Sequence, residues 1–120
     1  YLAQYQAVFG AADTNDSLSV PAAAASLAIT AATYDAVIAK HIAFAGPQPR
    51  LTHWPKKEAA RVCLVARISE SFTFTKRYSR QELVAILTDW YADHPMLTRY
   101  LVDYGYLART ADGREYWRIF

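Results

Sequence analysis

Apolar positions recur at the helical spacing through most of this chain, and the clearest instance lies near its end. Leu83, Ile86, Leu87 and Trp90 fall at i, i+3, i+4 and i+7, which lines one face and leaves Gln81, Ala85, Thr88 and Asp89 outside. Ser79 followed by Glu82 is a capping box, so this helix starts near Arg80 and stops around Ala92. Asp93 or His94 caps the next helix, with Pro95 in its first turn. Its inward stripe is Leu97, Tyr100, Leu101 and Tyr104, and Gly105 closes it as a left-handed residue. Met96, Thr98, Arg99, Val102 and Asp103 face away from the core.

After Gly105 the helical spacing ends. Ala111-Asp112-Gly113-Arg114 reads as a two-residue hairpin turn of type I′, because Asp-Gly accepts the positive φ angles that this turn demands. In the resulting register Ala108 pairs with Trp117 on the buried face. Arg109, Tyr116 and Arg118 then share the other face, with Arg114 at the tip. Helix, link, helix and hairpin in this order, with arginines on the second helix and the hairpin, match a winged helix-turn-helix presented to nucleic acid.

The first half shows a second periodic region. Leu2, Tyr5, Val8 and Phe9 fit an opening helix, followed by a polar connection from Asp13 to Ser17. Pro21 opens a helix through Leu27, Ile29-Thr30 makes a corner, and Thr30 caps a helix to about Ile42. Ala25 sits where the two helices cross, and Ala28 occupies the place of the usual turn glycine. The second helix of this pair offers only Lys40 and His41 as cations and carries Asp35 in its middle. It therefore reads either as a DNA-contacting unit or as a helical pair for packing and dimerisation. The next segment, FAGPQPRLTHWP, is rich in proline, which breaks helix and stiffens an extended path. Beyond it, a helix runs from Pro55 or Lys56 to about Phe72, with Leu64, Val65, Ile68 and Phe72 inward. Lys56, Lys57 and Arg61 gather at its start, where they oppose the macrodipole and read either as cations that serve a partner or as a solvated basic turn.

The stretch from about Leu51 to Phe120 resembles the bacterial family known as domain of unknown function 2087. That family's pattern has a Tyr-Ser/Thr-Glu helix start, an Asp, a Leu-Arg-Arg helix, and a closing Arg, Asp-Gly, Tyr-Trp hairpin. Here these stand as Tyr78-Ser79, Asp93, Leu97-Thr98-Arg99, Leu101-Val102-Asp103-Tyr104-Gly105, Arg109, Asp112-Gly113 and Tyr116-Trp117-Arg118. The chain departs from the pattern at Thr98, where the family has arginine, and at Arg80-Gln81, where acidic residues or lysine are commoner. The resemblance implies the context of a transcriptional regulator and leaves the molecular activity uncharacterised.

Charge sharpens this picture. The net charge of +2 divides unevenly: residues 1–49 carry one lysine against three aspartates, whereas residues 50–120 carry twelve Lys/Arg against eight Asp/Glu. The basic character belongs to the C-terminal part. With 53% apolar and 14% aromatic residues, the 120-residue chain supplies a real core. One cysteine, Cys63, rules out an intramolecular disulfide and fits a reducing, cytoplasmic setting. No apolar run approaches the roughly 20 residues of a membrane span. The chain begins at Tyr1, which leaves room for a leader before it.

Candidate chemistry is sparse. His41, His53 and His94 are scattered, and there is no HExxH, paired cysteine or acidic cluster at ligand spacing, so no metal or cofactor is expected. Cys63 sits in an apolar helix and reads as a buried, inert thiol. Ser69 and Ser71 lack an elbow, the four glycines are isolated, and Asp89 and Asp93 flank a helix end. The dense aromatics could form stacking platforms, but most fall on inward stripes, with Tyr91 and Tyr116 the expected exceptions.

The sequence therefore predicts a mainly α protein with a small β-hairpin wing: a helix-turn-helix-like unit over 1–45, a connection over 46–55, and a winged helix over 56–120. The function expected is sequence-specific binding of double-stranded DNA by a non-enzymatic bacterial transcriptional regulator. Thr98 and Arg99 are the groove-facing candidates, and Lys76, Arg77, Arg80, Arg109, Arg114 and Arg118 the phosphate-positioning ones. The alternative is a protein-interaction winged helix whose residues 1–45 dock a partner or a second copy. Basic residues on one contiguous face favour DNA; arginines dispersed in ion pairs, with an exposed apolar patch on residues 1–45, favour the partner.

Overall fold

The computed structural model describes residues 17–44 and 46–120. The expected opening helix of Leu2, Tyr5, Val8 and Phe9, and most of the polar connection after it, lie outside the described residues. A 3-10 helix (Ala22–Leu27) leads to α1 (Ala31–His41), β1 (Ile42–Ala43), β2 (Arg50–Leu51), α2 (Glu58–Ser69), β3 (Arg77–Ser79), α3 (Arg80–Trp90), α4 (His94–Asp103), β4 (Leu107–Arg109) and β5 (Glu115–Arg118). The strands form two antiparallel sheets, β1 with β2 and a three-stranded sheet in the order β3-β5-β4. The chain is thus mixed, with more β structure than the single hairpin its pattern suggests. Both additions pair segments remote in sequence or too short to show alternation.

Local signals set most helix ends. Thr30 Oγ1 accepts from the Thr33 amide at the start of α1. Ser79 Oγ accepts from the Glu82 amide at 3.1 Å, while Glu82 Oε1 accepts from the Ser79 amide at 2.8 Å, completing the capping box of α3. Asp93 caps α4 through the Met96 amide. At the other end the Tyr106 amide donates to Leu101 O and the Gly105 amide to Val102 O, with Gly105 at φ 87°, a Schellman closure.

Four expectations are corrected. The segment after Pro21 is a 3-10 helix, in which side chains three apart eclipse. Pro21 and Ala24 are buried and Leu27 half-buried on one line, while Ala25 is exposed, so the buried small residue is Ala24 and not Ala25. The stretch rich in proline doubles back, placing Ile42 opposite Leu51. The C-terminal hairpin keeps the expected pairing of Ala108 with Trp117, but its faces are reversed. Leu107, Tyr78 and Tyr116 are buried, at 1%, 4% and 3% exposure, and Trp117 lies outward under the Arg77 guanidinium, 3.9 Å from the ring centroid. Strand side chains alternate, so one parity decides every position; β3 decides it here by laying Tyr78 beside Tyr116. Finally, the turn is not type I′, since among the described residues Ala28 alone has positive φ outside glycine. Asp112 therefore does not, and Gly113 carries φ 70°. The Gly113 amide donates to Thr110 O, Thr110 Oγ1 accepts from the Arg114 and Glu115 amides, and Asp112 Oδ1 accepts from Thr110 Oγ1 and the Arg114 amide.

The core is one cluster that runs from Ala24, Ile29 and Ile42 through α2 to Leu83, Leu87, Leu97, Leu101, Leu107 and Tyr116. Phe72 meets Tyr78 edge to face at 5.0 Å, and the Thr73 amide donates to Tyr78 Oη, tying the end of α2 to β3. Cys63 is fully buried, as expected, and burial pushes its thiol up to about 12, which disfavours the thiolate.

Ser79→Ala removes the side-chain half of the capping box and lowers stability by about 1 kcal/mol, read as a shifted denaturant midpoint. An unchanged midpoint means the cap contributes nothing. Ala28, at φ 50°, holds a conformation that costs an L-residue about 1–2 kcal/mol. Ala28→Gly relieves that strain against a smaller gain in unfolded-state entropy, for a net stabilisation of about 0.5–1 kcal/mol; a lower midpoint in the variant refutes the strain.

Candidate nucleic-acid interface

Capping by Asp93 and closure at Gly105 set the ends of α4, and burial of its apolar stripe fixes which side faces out. Leu97 and Leu101 are fully buried, and Arg99 is exposed on the far side. No ion pair joins Arg99 to Asp103 among the described residues; its guanidinium lies 5.7 Å from the Tyr100 ring centroid instead. Thr98 is half-buried and its hydroxyl donates to His94 O at 2.9 Å, so its proton is already committed within the helix. Of the two groove-facing candidates, only Arg99 is presented with its donors free of any protein acceptor among the described residues.

The positioning candidates divide into two groups. Five gather where β3 runs into α3 and the β4–β5 hairpin turns. Arg80 Nη1 donates to Gly113 O at 3.4 Å, joining the first residue of α3 to the hairpin tip. Ser79, Arg80, Gln81, Val84, Asp112, Gly113 and Arg114 line an open groove there. Arg114 is 84% exposed and 3.6 Å from Asp112, and Arg109 donates to Thr110 O and Ala111 O. Arg77 pairs with Glu115 at 3.2 Å on the outer sheet face, and Lys76 pairs with Glu82 at 3.7 Å. These pairs are exposed and weak. Hydrogen bonds from Thr110 Oγ1 and the Arg114 amide hold the Asp112 carboxyl below its usual range.

Arg118 belongs to neither the groove nor an outer face. It follows Tyr116 on the inward side of β5, where Nη1 donates to Phe72 O at 3.2 Å and Nη2 to Phe120 O, with the guanidinium 4.1 Å from the Phe74 ring centroid. Its Nε is buried without an acceptor, and burial lowers its pKa below the ordinary arginine value. The reversed sheet faces account for this: the parity that buries Tyr116 also draws in Arg118.

A further set of cations becomes visible only in three dimensions. Arg61 donates from Nε to Pro55 O at 2.7 Å and from Nη1 to Tyr100 Oη at 3.1 Å, bridging the start of α2 to α4. Tyr100 also meets Trp54 at 5.4 Å. The basic turn of Lys56, Lys57 and Arg61 is legible in the sequence, but the link of Arg61 to Arg99 through Tyr100 is not, because periodicity puts Tyr100 in the core stripe and the structure leaves it half-buried.

A family model described as an uncharacterized protein conserved in bacteria, DUF2087, matches residues 50–118, more than half of the chain. The chain belongs to the DUF2087 family. The match begins at the first residue of β2 and ends at the last residue of β5, so the DUF2087 region takes in α2, the three-stranded sheet, and both α3 and α4. No curated protein and no solved structure matches the chain. Among the described residues no three His, Cys, Asp or Glu side chains gather in a way that could hold a metal ion, and no helix is long and apolar enough to cross a membrane.

Gly113→Val places a β-branched residue at φ 70°, with its Cβ 3.3 Å from the Arg80 guanidinium and 3.6 Å from Tyr116 Oη. The variant loses about 1–2 kcal/mol or more of stability, from the backbone strain. An unshifted melting temperature overturns the left-handed assignment at the tip.

Proposed function

We propose that the DUF2087 region of this chain is a winged helix that binds double-stranded DNA as part of a cytoplasmic bacterial transcriptional regulator, without catalysis. The observation that carries the reading is the element order from α2 onward: helix, strand, two helices, then two strands, with the sheet ordered β3-β5-β4. In that architecture the second helix of the pair enters a groove and the hairpin is the wing. Arg99 stands exposed on that helix, and four arginines and a lysine stand around the wing and the start of α3. Arg99 reads a base edge; Lys76, Arg77, Arg80, Arg109 and Arg114 position phosphates. Thr98, its hydroxyl proton held by His94 O, offers a base edge only its methyl group and its hydroxyl oxygen as acceptor. Arg118, half-buried and bonded to Phe72 O and Phe120 O, stands outside the phosphate set.

A second reading, a protein-interaction winged helix, has its own support. Lys76, Arg77 and Arg114 each stand beside a carboxylate, and Phe44, Phe74, Ile119 and Phe120 are exposed, at 58%, 54%, 52% and 37%. In that reading residues 1–45 or the apolar strand end dock a partner or a second copy.

Binding of duplexes from the chain's own genomic neighbourhood, measured against salt, separates the two. Under the DNA reading, Arg99→Ala costs about 1–3 kcal/mol on a specific duplex and far less on random DNA. Arg109→Gln with Arg114→Gln lowers the magnitude of the slope of log K against log salt by about 0.9 for each phosphate no longer neutralised. Equal losses for Arg99→Ala on both DNAs demote it to a phosphate-positioning residue. Failure to shift any duplex at low salt, together with capture of a partner through residues 1–45, replaces this reading with the second.

A further inference from the structure

We infer that the cations Lys56, Lys57, Arg61 and Arg99, of which Arg61 and Arg99 share the Tyr100 ring and Lys56 and Lys57 follow the Pro55 carbonyl that Arg61 binds, form a cluster whose members Lys56, Lys57 and Arg61 are a second site for the phosphate backbone of duplex DNA, apart from the wing; the inference rests on the DNA reading above.

The first ground is neutralisation. The ion pairs among the described residues are Arg67 with Glu70, Lys76 with Glu82, Arg77 with Glu115 and Arg114 with Asp112. None involves these four cations. Glu58, the acid in the first turn of α2, accepts from Tyr104 Oη instead, and Asp103 forms no ion pair with Arg99. Lys76, Arg77 and Arg114 of the wing must each leave a carboxylate to meet a phosphate, whereas these four cations, like Arg80 and Arg109, have none to leave.

The second ground is arrangement. Arg61 is held in place by Pro55 O and Tyr100 Oη, with its guanidinium 5.8 Å from the Tyr100 centroid, and Arg99 lies 5.7 Å from the same centroid. Two like charges thus share one ring, with the Trp54 indole packed beside it. Lys56 and Lys57 are exposed and precede the first turn of α2, where the macrodipole repels them. Folding gains nothing from such placement, and an incoming anion relieves it. The bonds of this cluster run between Pro55, α2 and α4, while those of the wing cations run among the β3–α3 junction and the β4–β5 hairpin with its turn. Because Arg99 belongs to both the cluster and the reading face of α4, phosphates held here set the register in which α4 meets the groove.

The test is the salt dependence of duplex binding by the full chain and by three variants, each first checked for an unchanged melting temperature. Lys56→Gln with Lys57→Gln lowers the magnitude of the slope of log K against log salt by about 1.8, two phosphates at about 0.9 each. Lys40→Gln, an exposed cation outside the cluster, leaves the slope unchanged. If the native chain binds and Arg114→Gln lowers the slope while the Lys56/Lys57 variant does not, this second site is overturned and the DNA reading stands. A drop for Lys40→Gln equal per charge to that of the double variant also overturns it, since it marks diffuse attraction. A native chain that binds no duplex at low salt overturns both.

Discussion

The structure depends on one constraint, that α2 cannot meet water along its middle. Val62, Cys63, Leu64 and Val65 are consecutive, point to all sides of the helix, and are all fully buried, as is Ile68 one turn on. A helix apolar all round needs neighbours all round. Both α1 and α4 pack against it, and Phe72, which meets Tyr78 just beyond its end, brings in the sheet. Each of those five α2 side chains contributes apolar burial worth about 1.5–3 kcal/mol when complete, enough to order short elements that have little stability alone. β1 and β2 are two residues each, and β4 is three.

Burial of α2 then dictates what stays outside. With Leu97 and Leu101 committed inward against it, Arg99 is forced into solvent, and Tyr100 and Tyr104 are left at the flank, where they bond to Arg61 and Glu58. The positions that carry the proposed function are therefore those that core packing rejects. The same logic operates on the sheet: closure of Tyr78 and Tyr116 over α3 expels Trp117 and Arg77 to the outer face and pulls Arg118 under Phe74.

Charge is distributed in two styles. Around the hairpin, cations stand next to carboxylates and gain small, screened interactions that organise the tip and the start of α3. Around Tyr100, cations stand next to one another and to aromatic rings. The first style suits a surface that must hold its own shape. The second is held by hydrogen bonds and ring contacts and leaves its positive charge unneutralised, open to an anion.

What was legible in the sequence was whatever lies within one turn or one pair of neighbours. The Ser79–Glu82 box, the Thr30 and Asp93 caps, the closure at Gly105, the inward stripes of α2, α3 and α4, and the pairing of Ala108 with Trp117 all depend on residues a few positions apart, so short windows specify them. What the tertiary structure decided involves partners far apart in the chain. Leu107 with Tyr116 and Ala108 with Trp117 are equally plausible inner faces for an isolated hairpin, and only β3, some 38 residues before its partners, breaks the tie, as the Arg77 to Glu115 bond illustrates. The Arg61 to Tyr100 bond spans 39 residues and the Arg118 to Phe72 bond 46. No periodicity encodes them, because they arise from how the faces of separate elements meet. Local hydrogen bonding fixes where each element starts and stops, and the packing of α2 fixes which of its neighbours' side chains remain to meet a partner.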